Sequence, residues 1–319
     1  MKILVFGAGV IGTTYAWQLS EAGFDVSLLV RKQRLVRYSH SGVTINCTDM
    51  RGKRREYVKT VFRPKTVDRI DAHAKYDLVI MAVKNFQLND ALPYVAKYAG
   101  NAHILFMGNL WNEFDMIGRH LPAGRYFFGF PAMAGGGRTD NGVSCLLFRK
   151  GNTMLGEPDG RTSTRLLETA EILGQAGLQP KIIGNIIPWL KAHYIWPAAT
   201  FGAVCKAGSA RLFSENKKLV RYSVRAIREG FRVCKARGVN PGRIFPYLLF
   251  YLPGFLLTPL LKRSYNKEMQ EVMDGHMKHG FDEMKKQFLD VLKDGKAAGI
   301  DMPYWKSLEK HILQAEARR

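Results

Sequence analysis

Acidic side chains are scarce. The 319 residues hold 27 Asp and Glu against 48 Lys and Arg, a formal charge of +21 with an isoelectric point near 9.9. Cysteine is scarcer still: Cys47, Cys145, Cys205 and Cys234 stand far apart, with no CxxC and no histidine at ligand spacing. That fits reduced thiols in a cytoplasmic protein better than a disulfide framework or a zinc site. Internal repeats and low-complexity tracts are missing. With 46% hydrophobic and 11% aromatic residues the chain is neither collagen-like nor disordered. No secretory signal is legible, because the apolar run after Met1-Lys2 reaches Gly7 after four residues, as a strand does. A length of 319 residues suggests two domains rather than one core.

Long uncharged runs are lacking too, with one exception. Residues 244–261 carry no charge over 18 positions, but Pro246, Pro253, Gly254 and Pro259 argue against an unbroken membrane-spanning helix. Short helical turns forming an apolar wall or lid are the reading. Interfacial docking beside Lys262 and Arg263, and a subunit contact in a homodimer, are the alternatives. The basic excess is uneven: residues 31–71 hold twelve Lys and Arg and four Asp and Glu, and basic residues recur through 206–237. A polyanion-binding surface would explain this. Yet no RNP pattern, helix-turn-helix spacing or zinc-finger spacing accompanies the charge, so no nucleic-acid partner is expected. A basic field that draws phosphorylated cofactors and anionic substrates accounts for the same numbers.

What is present falls into two halves. Apolar runs rich in β-formers recur at residues 2–6, 25–30, 77–82, 103–107, 125–130 and 143–148. Residues 11–22 between the first two read as a helix ending at Gly23, where a C-cap glycine belongs. Strand, helix and strand within about 30 residues make a βαβ unit, hence a parallel sheet with a right-handed crossover. Unalternating runs such as LVIMA suit strands buried on both faces. Gly135-Gly136-Gly137 read as a turn cluster after the 125–130 strand. From Pro188 the pattern is helical, over 188–204, 215–237 and 265–298. The expected fold is an α/β N-terminal Rossmann domain with a parallel sheet, residues 1–185, followed by an all-helical C-terminal domain, residues 186–319. His276 and His279 lie three apart on a helix, but no carboxylate–histidine set at a recognised spacing joins them, so no metal site is expected.

Gly7-Ala8-Gly9-Val10-Ile11-Gly12 follows the first strand and opens the first helix. In that position the first glycine permits a tight turn, the second lets a pyrophosphate approach the backbone, and the third lets helix pack on strand. The pyrophosphate then meets the unsatisfied N–H groups of the helix N-terminus. A site for NAD would carry a carboxylate at the end of the second strand. Here Ser27-Leu28-Leu29-Val30 runs into Arg31-Lys32, with Arg34 near, so a 2′-phosphate is welcomed and NADP(H) is the expected cofactor. Two later strands end in Met81-Ala82-Val83-Lys84 and Phe106-Met107-Gly108-Asn109, which puts an ammonium and an amide at the ligand-binding edge of the sheet.

KILVFGAGVIG, LVRKQR, LVIMAVKNFQ, LFMGNLWNE and a W-x-K opening the helical half, taken in this order, resemble the ketopantoate reductase family. The resemblance runs from Lys2 to about Pro303. It implies NADPH-dependent reduction of a 2-keto acid to a 2-hydroxy acid, as in ketopantoate to pantoate for pantothenate synthesis, with cofactor and keto acid meeting in an interdomain cleft. It further implies phosphate-loop roles for Gly7, Gly9, Val10, Ile11 and Gly12, a 2′-phosphate role for Arg31, and cofactor-cleft roles for Lys84 and Asn109. Lys191 matches the family's catalytic lysine, and Glu283 its catalytic glutamate. An ammonium can stabilise a forming alkoxide and protonate it, while a carboxylate orients both.

Departures fall on the substrate side. Ile195 and Ala199 stand where the family commonly has substrate-binding asparagines, and Glu271 where it often has a serine. Leu110-Trp111 replace the glycine after the cleft asparagine and its neighbour. His193 is a substitute substrate contact or a core histidine, and Asn109 a second substrate contact. The pocket is therefore expected to be reshaped around a different carbonyl compound. Rival readings are a reductase of another carbonyl, an opine- or imine-forming dehydrogenase, and a non-catalytic NADP-binding redox sensor or nucleic-acid partner.

Overall fold

The computed structural model describes residues 1–139 and 141–319. Two compact units divide it, Met1–Ile187 and Pro188–Arg319.

In the first unit, the expected strands form as β1 (Lys2–Phe6), β2 (Asp25–Leu29), β6 (Leu78–Met81), β7 (His103–Met107), β8 (Tyr126–Pro131) and β10 (Gly142–Leu147). Strands with weaker sequence signals complete them: β3 (Val43–Asp49), β4 (Glu56–Phe62), β5 (Lys65–Val67), β9 (Ala134–Thr139), β11 (Thr153–Gly156) and β12 (Pro180–Ile182). They make two sheets. The eight-stranded sheet has the order β12-β11-β8-β7-β6-β1-β2-β5 and is parallel except where β11 meets β8. The sheet grows to one side of β1 through β2 and to the other side through β6, so the direction of winding reverses at β1 while the strands stay parallel. Ligands of open α/β sheets bind at the carboxyl ends of strands beside such a switch.

The second sheet has the order β4-β3-β10-β9 and corrects one expectation. In it β10 pairs in parallel with β3. Gly135-Gly136-Gly137 are not a turn: they lie within β9, antiparallel to β10. Gly136 takes φ +136°, and a Cβ there would stand 2.0 Å from the Ser144 carbonyl oxygen, so bare backbone is what allows the strands to approach.

Helix α1 (Val10–Glu21) packs on β1 and β2 and also on β9 and β10. Covered from both sides, it is buried continuously from Gly12 to Leu19 rather than along one stripe. It ends as expected, Gly23 adopting φ +86° just beyond the cap. The remaining helices of this unit are α2 (Lys32–Ser41), α3 (Leu88–Tyr98), α4 (Phe114–His120) and α5 (Thr164–Gln175).

The second unit is helical: α6 (Ile186–Ala207), α7 (Ala210–Glu215), α8 (Lys217–Ala236), α9 (Gly254–Ser264), α10 (Lys267–His279), α11 (Phe281–Ala297) and α12 (Pro303–Ala317). The single helical stretch expected over 265–298 is broken at Gly280, which closes α10 through its N–H to the His276 carbonyl (3.0 Å) and opens α11. Glu229 of α8 is buried and ties down α12, its carboxylate accepting from the backbone N–H groups of Tyr304 (3.1 Å) and Trp305 (2.7 Å). No helix among the described residues is long and apolar enough to cross a membrane. Residues 244–261 form a short 3-10 segment, Tyr247–Tyr251, and then α9.

Candidate active site

Strands β2, β1, β6 and β7 are neighbours and parallel, so their carboxyl ends share one edge. That edge gathers Arg31 after β2, the glycine loop after β1, Lys84 after β6 and Asn109 after β7. The three glycines do different work there. Gly7 adopts φ +113°, and a Cβ on it would stand 2.8 Å from the Ala82 carbonyl oxygen. A Cβ on Gly12 would come within 1.9 Å of the Gly7 carbonyl oxygen, so the helix reaches the loop only because the side chain is missing. Gly9 faces open space, with no atom within 4 Å of its Cβ position. A glycine with nothing of its own chain beside it leaves room for a ligand's phosphates over the first turn of α1, where Val10 and Ile11 begin the helix.

One guanidinium, that of Arg138, contacts this loop, and Arg138, Arg31 and Arg37 all lie within electrostatic reach of Arg34. Arg138, carried in by β9, donates to the Ala8 carbonyl (2.6 Å) and the Tyr38 hydroxyl (2.8 Å). Burial, then neighbouring Arg138, followed by Arg31 and Arg37, pulls the pKa of Arg34 below the usual guanidinium range, with Tyr38 opposing. Arg31 is exposed at the start of α2. Cations held this close favour a polyanion. The chemistry of the cluster fits a phosphorylated ligand such as a dinucleotide. Arg138 was not legible as a site residue, because only the pairing of β9 with β10 brings it back to residue 8.

Lys84 is half-buried, its backbone N–H donating to Gln87 Oε1 (3.0 Å) and its Nζ lying 5.7 Å from the Phe86 ring. Half-buried Asn109 precedes a loop fixed by Glu113, whose buried carboxylate accepts from the N–H groups of Trp111 (2.7 Å) and Asn112 (3.0 Å). Leu110 and Trp111 are buried and fill the core beneath this edge.

In the helical unit, Lys191 and Glu283 are both half-buried. Helix α6 meets α11 where Tyr194 donates to Asp290 (2.8 Å) and where the rings of Phe201 and Phe281 stand 5.1 Å apart. Lys191 lies about one turn before Tyr194, at the Asp290 end of this contact, and Glu283 just after Phe281, toward the other. The carbonyl of Lys191 accepts from Cys234 Sγ (3.6 Å). Burial pushes the Cys234 thiol up to about 12, against the opposing charges of Arg237 and Lys191.

His193 is built into an aromatic stack. Its ring lies parallel to Trp189 at 5.0 Å, and its Nδ1 shares a 2.9 Å hydrogen bond with the Tyr247 hydroxyl. Burial first, and the charge of His276 second, lower its pKa to about 3, so the imidazole is neutral at physiological pH. Ile195 and Ala199 are fully buried. Ile195 faces Gly230, where a Cβ would lie 2.5 Å from its Cγ2, so this position belongs to the core of this chain. Glu271 is exposed on α10. No three His, Cys, Asp or Glu side chains among the described residues gather as a metal ion requires.

A doubly wound sheet with a glycine loop at its switch point, followed by a helical unit that carries a half-buried lysine on its first helix, defines a dinucleotide-dependent oxidoreductase of the Rossmann type. Comparison with known proteins narrows the class. The model of the family described as Ketopantoate reductase PanE/ApbA matches residues 3–160. A 2-dehydropantoate 2-reductase of Pyrococcus horikoshii is 27% identical over 292 residues, which are 86% of this chain and 85% of that one. The crystal structure of 2-dehydropantoate 2-reductase from Geobacter metallireducens superposes with a TM-score of 0.75 at 19% identity, covering 99% of this chain and 100% of that one. D-mandelate dehydrogenase, solved as a ternary structure with NADH and anilino(oxo)acetate, gives 0.75 at 17% identity, covering 100% and 99%. The chain belongs to the ketopantoate reductase family.

Proposed function

We propose that this protein reduces a 2-keto acid to the 2-hydroxy acid with NADPH, ketopantoate being the substrate suggested by its curated relatives. The observation that carries the reading is the edge where open space over Gly9 adjoins the cluster of Arg31, Arg34, Arg37 and Arg138. Backbone N–H groups after Gly9 would hold the pyrophosphate, and the guanidinium groups the 2′-phosphate. Lys84 and Asn109 would hold the ribose side of the cofactor, with Asn109 also reaching the substrate carbonyl. NADPH, when bound, supplies a hydride to the keto carbon.

The chain's own residues manage the charge and the proton. The Lys191 ammonium stabilises the negative charge that develops on the keto oxygen and delivers a proton to it. Glu283, toward the other end of the α6–α11 contact from Lys191, has no step on this carbonyl. With Ile195 and Ala199 buried in the core, neither position offers the substrate an amide, which favours a second reading within this class: a less polar 2-keto acid, such as an aryl one.

The test is NADPH oxidation with ketopantoate, pyruvate, 2-ketoisovalerate and phenylglyoxylate, with NADH run in parallel. We expect 2-keto-acid-dependent turnover favouring NADPH, with the best substrate deciding between the two readings. Lys191→Ala should lower kcat by about 10²–10⁴-fold and leave NADPH binding unchanged. Full turnover in that variant would remove Lys191 from the chemistry. Absence of turnover with every 2-keto acid would overturn the reading.

A further inference from the structure

Residues 240–264 cover one side of α8 and are apolar on both of their faces. The inward face is accounted for: Tyr247, Phe250, Leu257 and Leu261 are buried, and Arg228 of α8 clamps the segment by donating to the carbonyls of Phe250 (2.7 Å) and Leu252 (2.5 Å). The outward face is not. Phe245, Leu248 and Tyr251 recur every three residues, the last two within the 3-10 segment, and all three are exposed, Tyr251 with one ring face stacked on Phe231. Phe255, Leu256 and Leu260 occupy the outward face of α9 at helical spacing. Phe255 is 72% exposed and Phe245 68%. Six large apolar side chains on consecutive elements make a patch that a soluble surface rarely carries without a partner.

The charge around this patch selects the partner. Residues 206–263 hold thirteen Lys and Arg against two Asp and Glu, and Glu229 of α8, one of the two, is buried against α12. The basic groups reach the apolar face itself. Lys235 Nζ lies 4.9 Å from the Tyr251 ring, Arg243 is exposed beside Phe245, and Arg263 extends the outward face of α9 beyond Leu260. A two-fold contact with a second copy would set these cations against themselves. A nucleic acid would answer the charge and leave Phe255, Leu256 and Leu260 in water. An anionic bilayer answers both, through acyl chains for the apolar residues and headgroups for the rim.

We propose that the face formed by Phe245, Leu248, Tyr251, Phe255, Leu256 and Leu260, rimmed by Lys235, Arg243 and Arg263, docks this protein peripherally on an anionic lipid surface. The depth is interfacial, because no helix among the described residues can span. This inference is independent of which 2-keto acid is reduced.

Co-sedimentation of the full chain with vesicles of pure phosphatidylcholine, and with vesicles containing 30% phosphatidylglycerol, tests it. Binding should be confined to the anionic vesicles and weaken as salt rises. Phe255→Ser/Leu256→Ser should lower the partition coefficient by about tenfold or more, with unchanged circular dichroism. Arg243→Glu/Arg263→Glu should lower it similarly. Absence of binding to anionic vesicles overturns the proposal. So does equal binding of the Phe255→Ser/Leu256→Ser variant, which would mean charge adsorption alone. A wild-type dimer in analytical ultracentrifugation that this variant converts to monomer would assign the face to a second copy. Tighter binding to a DNA or RNA oligonucleotide, indifferent to the apolar substitutions, would assign the charge to nucleic acid.

Discussion

His193 is polar in the sequence and neutral in the fold, and this has a measurable consequence. Its pKa of about 3 lies below the ordinary histidine value of 6.5, because burial and nearby His276 disfavour the imidazolium. The unfolded chain therefore binds a proton that the folded chain refuses between those two values. The stability this contributes is complete above pH 6.5 and is lost as pH falls toward 3. Urea unfolding should show a loss of about 1.4 kcal/mol per pH unit from this group below pH 6. A His193→Asn variant should lack that share of the slope. Identical slopes in the two proteins would mean that the native imidazole is charged. At the same scale, Arg31 was legible because it ends the second strand, whereas Arg138 was not. Its guanidinium reaches Ala8 and Tyr38 only through a strand pairing that no local signal announces. Cys47 and Cys145 teach the same lesson. Remote in sequence, they face each other in register across β3 and β10, and their mutual hydrogen bond, then burial, pushes the Cys47 thiol up.

Among the elements, the loop between β1 and α1 separates what glycine does for the fold from what it does for a ligand. Gly9 has an extended backbone, φ −77° and ψ −173°, and open space at its Cβ position, so Gly9→Ala should leave the melting temperature nearly unchanged. The added methyl should nonetheless weaken NADPH binding by at least about tenfold, since it stands where the phosphates lie. Gly12→Ala places a carbon 1.9 Å from the Gly7 carbonyl oxygen and should cost roughly 3 kcal/mol in unfolding free energy. Equal effects of the two substitutions on stability, or no effect of Gly9→Ala on NADPH titration, would contradict this division. The glycine loop was legible because its spacing is a local rule. The three glycines of β9 were not, because consecutive glycines signal a turn unless a neighbouring strand needs bare backbone. The break at Gly280 was missed for a related reason: a single glycine within a helical pattern reads as a weak position, and capping from His276 makes it an end.

For the whole molecule, each of the two compact units closes its own core, the first around α1 and the main sheet and the second around α6, α8 and α12. A chain ending at Ile187 contains the glycine loop, the arginine cluster, Lys84 and Asn109. It should fold cooperatively and bind NADPH within about tenfold of the full protein, while reducing no keto acid because Lys191 is gone. Failure of that fragment to bind NADPH would show that the helical unit supplies cofactor contacts. The amino-acid sequence by itself determined the βαβ start, the phosphate loop, the basic end of β2, the change from α/β to helical character and the family, because each rests on periodicity or spacing within a few tens of residues. The tertiary structure alone decided that a second sheet covers α1, that Arg138 joins the arginine cluster, that Ile195 and Ala199 are core, and that the run at 244–261 turns half of its apolar side chains outward. Those outcomes depend on which distant segments pair and which face meets a neighbour, and contacts between residues a hundred positions apart leave no period in the chain.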